Sequence, residues 1–138
     1  MNPVTKICVL LGSLLIAGCA TQGPEVTGTG SQVQIRQIQT REYDTLNKAM
    51  TLRSVIATLQ DLSFVIDKAD AELGTVTATR YDKYKMRMTV TVREKGSNRV
   101  AVRANARIGE NAVDDPQTYQ DFFVALDKAM FLTLQKVD

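Results

Sequence analysis

Residues 83–108 constrain this chain more than any other stretch. In KYKMRMTVTVR every even position is apolar (Tyr84, Met86, Met88, Val90, Val92) and every odd one polar (Lys83, Lys85, Arg87, Thr89, Thr91, Arg93). In RVAVRANARI the even positions Val100, Val102, Ala104, Ala106 and Ile108 are again apolar, with Arg99, Arg103, Asn105 and Arg107 between them. A period of two is that of a β-strand with one face buried and one in water. EKGSN between the runs has turn composition, so the two form a hairpin. Register follows from parity. Both runs bury even numbers, so paired residues must sum to an even number. A three-residue loop at Gly96–Asn98, pairing Lys95 with Arg99, satisfies this. A two-residue loop at Gly96–Ser97 would pair odd with even and turn one strand inside out.

A sheet with one apolar face needs a cover. DTLNKAMTLRSVIATLQDL offers one, with Leu46, Ala49, Leu52 or Arg53, Ile56 and Leu59 at helical spacing, Asp44 or Thr45 as the cap, and an end near Leu62–Ser63. DDPQTYQDFFVALDKAMFLTLQKVD offers a second. Asp115 is its cap and Pro116 its first residue, and Tyr119, Phe122, Phe123, Leu126, Met130 and Val137 share a face. SFVIDKADAELGTVTATR reads as two more strands. Phe64 and Ile66 mark the buried side of the first, Val76 and Ala78 that of the second, and Gly74 ends the connection. VQIRQIQTREYDT begins as an extended segment with Val33 and Ile35 on one side. The order α-β-β-β-β-α, with a leading strand in some form, predicts an α+β two-layer sandwich: an antiparallel four- to five-stranded sheet covered on one face by two helices. The apolar fraction of 44% can supply its core, and the absence of Trp makes that core aliphatic and Met-rich.

The N-terminus has another purpose. Residues 1–6 carry one cation, and 7–17 form a short apolar run, about half of what crosses a bilayer. Ile16-Ala17-Gly18-Cys19 follows and resembles the lipobox of bacterial lipoproteins. That resemblance implies a signal peptide over 1–18 and a diacylglyceryl thioether on Cys19. It also implies cleavage after Gly18 and acylation (palmitate-type) of the new amine. Two or more chains anchor stably where one does not. Ala20, in place of the Asp that marks inner-membrane retention, implies the outer membrane, with the domain facing the periplasm. Residues 19–32 then form the lipidated N-terminus and a Gly-rich flexible tether, and 33–138 the α+β domain. With Cys8 and Cys19 the two cysteines of the chain, no disulfide or thiol chemistry falls to that domain.

Charge is unevenly spread behind a net +2. Residues 80–107 hold nine Lys/Arg against two Asp/Glu, and residues 108–138 two against six. Alternation puts Lys83, Lys85, Arg87, Arg93, Arg99, Arg103 and Arg107 on the face opposite the helices. Two readings stay open. The face docks an anionic partner, or it is solvated and its cations suppress edge-to-edge aggregation. Cross-strand like charges repel, which favours neutralisation by a partner without requiring it. Nucleic acid is not expected, because sheets that bind it put aromatics on the open face and parity puts Tyr84 on the covered one. The chain has no His, so the commonest general base and metal ligand is missing. Asp67, Asp70 and Glu72 are the nearest approach to an acidic site, and their spacing reads as a polar turn between strands rather than a Ca²⁺ loop or a carboxylate pair. No catalytic residue, metal site or cofactor is therefore expected beyond the lipid on Cys19.

The lipobox together with LRSVIATLQDLSFVIDKADAELGTVTATR is similar to the helix-grip modules of the lipoprotein in the bacterial barrel-assembly complex. Ser63 departs from that pattern, which more often ends the helix with Gly, and a left-handed cap would cost Ser more. The resemblance implies a non-catalytic accessory or scaffold that docks on an envelope complex, alone or in an oligomer. A carrier of lipid or another hydrophobic ligand is the alternative, with Met50, Met86, Met88 and Met130 lining a gap between helices and sheet.

Overall fold

The computed structural model describes residues 32–135. The signal sequence, Cys19, most of the tether and Val137 lie outside them. Within them the chain runs α1 (Gln32–Ile38), β1 (Thr40–Tyr43), α2 (Lys48–Asp61), β2 (Val65–Asp70), β3 (Thr75–Tyr81), β4 (Lys85–Lys95), β5 (Arg99–Ile108), β6 (Asn111–Ala112) and α3 (Pro116–Gln135). The sheet is antiparallel in the order β1-β5-β4-β3-β2, with β6 also on β5. The α+β class and its layering stand as the sequence predicts. The β4–β5 hairpin has the register that parity requires, Lys95 opposite Arg99 and onward to Met86 opposite Ile108. Gly96, at φ 65°, supplies the left-handed residue of its loop.

Met88, Val90, Val92, Val100, Val102, Ala104 and Ala106 are buried on the covered face. Val55 and Leu59 of α2 and Tyr119, Phe122, Phe123, Leu126 and Met130 of α3 pack onto them. The two long helices run antiparallel. The hydroxyls of Ser54 and Thr133 lie 3.5 Å apart, and Leu62 borders the same cleft as Phe122. Asp115 caps α3 as predicted, accepting from the Thr118 and Gln117 amides, with Pro116 in the first position. The Thr118 hydroxyl and these amides hold the Asp115 carboxyl below its ordinary range.

Four expectations need correction. The segment from residue 33 is helical before it is extended: α1 precedes a four-residue β1. Its apolar residues Val33, Ile35 and Ile38 fit either period over so short a span. The cap of α2 is Asn47, whose side chain accepts from the Met50 amide, so neither Asp44 nor Thr45 is the cap. With the helix starting later, its buried face turns to Leu52, Val55, Thr58 and Leu59, while Leu46 and Ala49 are exposed. Tyr84 lies in the β3–β4 turn at 65% exposure, because β4 starts one residue after it and parity no longer applies.

The end of α2 shows what Ser63 costs. The Phe64 amide donates to Leu59 O (2.9 Å) and the Ser63 amide to Gln60 O (3.0 Å), the paired bonds of a Schellman cap. The cap's left-handed residue is Ser63, at φ 65°. At the next turn Gly74, at φ 67°, leaves no room for a side chain: a Cβ there would sit 2.4 Å from Val92 O.

β5 is longer than either strand on its outer edge. β1 pairs with residues 100–103 and β6 with 107–108. The gap is closed by single bonds. The Ala104 amide donates to Gln39 O, the Val113 amide to Ala106 O, and the Ala106 amide to the Tyr119 hydroxyl at 3.2 Å. That hydroxyl also accepts from Gln39 Nε2 (3.1 Å) and donates to Val113 O (2.5 Å). One phenol on α3 thus completes the sheet edge.

Candidate functional site

The sheet's register resolves its open face into rungs. One is Lys95–Arg99; the next is Arg93–Ala101–Glu42; then come Thr75–Thr91–Arg103–Thr40, Thr77–Thr89–Asn105, and Thr79–Arg87–Arg107–Ala112. Tyr81 opposite Lys85 closes the far end. The long helices α2 and α3 pack on the other side, α1 flanks the β1 edge and shares grooves with Thr40, Glu42, Arg103 and Asn105, and Arg87, Arg93, Arg99, Arg103 and Arg107 are exposed. Six of the seven predicted cations are therefore on the face. The seventh, Lys83, is in the turn before β4, displaced by the same late strand start that exposes Tyr84.

The face is not uniformly basic. The rung Thr77–Thr89–Asn105 carries no charge until β2, where Lys68 joins it as Asp70 joins the Thr75 rung, and the two threonine hydroxyls lie 3.4 Å apart. Arg93 and Arg87 are six residues apart along β4, about 20 Å at strand rise, beyond the ~8 Å screening length of physiological salt. The two ends behave as separate patches.

At one end Glu42 meets Lys95 and Arg99, the latter at 2.8 Å. Above all the hydrogen bond from Lys95, and then the charges of Lys95 and Arg99, hold the Glu42 carboxyl below its ordinary value despite some desolvation. Sequence reading missed this neutralisation, because Glu42 is more than fifty residues away on a strand too short to show a period. At the other end Lys85, Arg87 and Arg107 border a cleft of about 280 Å³ with Gly109 and Glu110. Arg107 Nη2 donates to the Glu110 carbonyl (2.6 Å), and Lys85 Nζ stands 5.7 Å from the centre of the Tyr81 ring. Gly109, at φ 60°, makes the two-residue β5–β6 turn that forms the cleft wall. Lys85, Arg87, Arg93, Arg103 and Arg107 have no ion-pair partner among the described residues.

The acidic trio is spread over separate local bonds. Asp67 sits at the β-bulge of β2 and accepts from the Thr79 hydroxyl at 2.5 Å. Asp70 accepts from the Leu73 amide, and the backbone carbonyl of Glu72 accepts from Lys48. The three are not aimed at a common point. On the covered side, Arg41 stacks 4.9 Å over Phe123 and pairs with Asp127, which also accepts from the Tyr43 hydroxyl. Burial, with Asp127 beside it, drives the Tyr43 phenol far above its ordinary value. Met50, Met88 and Met130 are packed into the core, and the gap between helices and sheet beside Phe64 and Met88 is about 80 Å³. Among the described residues no group of three His, Cys, Asp or Glu is placed to hold a metal, and no helix is long and apolar enough to cross a membrane.

The class that fold and site define is an α+β sandwich with a bare, two-patch basic sheet face. No protein-family model matches the chain, and no curated protein matches it significantly.

Proposed function

We propose that this chain is a lipid-anchored, non-catalytic accessory of a bacterial envelope complex, held at the outer membrane through Cys19. It docks on an acidic partner protein through the open face of its sheet. The observation that carries the docking is the asymmetry of the sheet. One face is sealed by helices, and the other presents five cations without an ion-pair partner among the described residues. Its carboxylates sit toward the sheet's edges, Glu42 on β1 and Asp67 and Asp70 on β2, and the β4–β5 centre carries the cations. Here Glu42 is the carboxylate engaged with cations of β4 and β5. The packing of Met50, Met88 and Met130 disfavours a methionine-lined carrier cavity, and a roomier cleft of about 330 Å³ is bordered instead by Ile38 of α1 and Phe123 and Val124 of α3.

A photo-crosslinking residue at Thr89, mid-face, is expected to trap one discrete envelope protein in intact cells, and Arg93→Glu with Arg103→Glu to abolish the product. The same residue at Gln120, on the helix side, is the control. Identical products from both positions sink the docking. For the anchor, labelled palmitate is expected on the wild type and absent from Cys19→Ser. Label on the variant overturns it.

A further inference from the structure

The two basic patches differ in shape, and the difference selects a ligand for one of them. Arg103 borders a groove of about 230 Å³ that it shares with α1 residues and no other sheet cation, whereas Arg93 lines no cleft. The cleft beside Lys85, Arg87 and Arg107 is concave, and its 280 Å³ is near the lower bound of small-molecule sites, about 300 Å³. Arg87 and Arg107 stand opposite each other in one rung, and Lys85 follows Arg87 on the same face of β4. The bond from Arg107 to the Glu110 carbonyl fixes its guanidinium while its remaining N–H groups stay available. Glu110 is the one acidic residue among those lining the cleft, set against three cationic ones. Two guanidinium forks and an ammonium suit a compact, multi-oxygen anion better than a single carboxylate.

The chain's course says where that anion comes from. The described residues begin at Gln32, in a groove shared with Arg103, Asn105, Ala112 and Val113. Ala112 is the register partner of Arg107. The segment leading back to Cys19 therefore departs one strand away from the cleft. Residues 20–31 number twelve, a length that at about 5–6 Å × √n corresponds to a span of roughly 20 Å. A lipid on Cys19 sets a membrane surface within that distance.

We propose that Lys85, Arg87 and Arg107 seat the phosphate of an anionic phospholipid headgroup in the membrane that carries the anchor. This deepens the reading above and rests on its anchored half. It orients the cleft end of the sheet toward the membrane and leaves the Arg93–Arg103 end for the protein partner.

The test uses the full lipidated chain, ¹⁵N-labelled, in neutral detergent micelles doped with phosphatidylglycerol. Saturable amide shifts are expected at Lys85, Arg87, Arg107 and Gly109 and not at Arg93 or Arg103. Arg87→Gln is expected to weaken the response about tenfold, as for a lost hydrogen bond to a charged group. Lys85→Gln, which alters no backbone contact, should weaken it about fivefold, and Arg93→Gln should leave it unchanged. Equal shifts along the whole face, or no effect of Arg87→Gln, overturn the site. Inorganic phosphate binding as tightly as the doped micelle overturns the lipid source, and poly-glutamate competing as well overturns the phosphate specificity. No protein partner is present, so failure here and failure of the Thr89 crosslink are separate results.

Discussion

On β4, Val90 and Val92 have no exposure at all, Thr91 between them is half-buried, and Arg93 next along stands in solvent. Neighbouring residues of one strand thus serve opposite chemistries. The covered face is dry and interdigitated, so its energetics are those of volume. The open face is wet and charged, so its energetics are screened and small until a partner removes the water. Stability should therefore be concentrated on one side of the sheet and binding on the other. The largest effect expected is on the covered side. Leu126→Ala empties a fully buried site on α3 and should cost about 2–5 kcal/mol in denaturant unfolding, whereas Arg93→Ala should stay within about 0.5 kcal/mol. Comparable losses would mean that the open face is part of the folding core.

Tyr119 is the polar exception on the covered side. Removing its hydroxyl leaves the Ala106 amide and the buried Gln39 side chain without the bonds they make to it. Tyr119→Phe should cost about 1–3 kcal/mol and speed hydrogen exchange at Ala106. Unchanged exchange would show that water replaces the phenol. A smaller effect of opposite sign is expected where α2 ends. Gly accepts the φ of 65° that Ser63 is held at, so Ser63→Gly should stabilise by about 0.5–1 kcal/mol. Destabilisation would mean that the serine hydroxyl earns its place through a contact outside the described residues.

How much of this was legible depends on the length of each element. The hairpin spans the 24 residues from Lys85 to Ile108 as two alternating runs either side of the EKGSN turn, and its register followed from parity. The face assignments of Arg87, Arg93, Arg99, Arg103 and Arg107 came with it. At the strand's start parity failed, because Lys83 and Tyr84 belong to a turn and nothing in a two-residue step distinguishes turn from strand. β1 and β6 have four and two residues and no period to read. They exist because β5 leaves donors that need partners. What they bring to the site, Glu42 on one patch and the Gly109–Glu110 wall on the other, is tertiary and invisible to spacing. The left-handed cap at Ser63 was legible as a cost and is present in the structure.

The weakest prediction bears most directly on the open face. Glu42 is held ionised by Lys95 and Arg99, so its carboxyl lies below the ordinary 4.5 in the folded state. A carboxyl with a depressed folded value adds stability above its unfolded value, and that stability is lost as pH falls through the folded one. Glu42→Gln should therefore lower the melting temperature slightly at pH 6, and the difference should shrink as pH falls below 4.5 through the folded value, where the wild-type carboxyl also becomes protonated. Asp115 is depressed too, by its capping bonds, so the acid limb of the wild type alone does not isolate Glu42, and the difference between the two proteins does. High salt should shrink the pH 6 difference, because the group is at the surface. A difference that survives both acid and salt would mean that Glu42 acts by packing. The Lys95–Arg99 patch would then be as uncompensated as the cleft, and the contrast between the two ends of the face would fall.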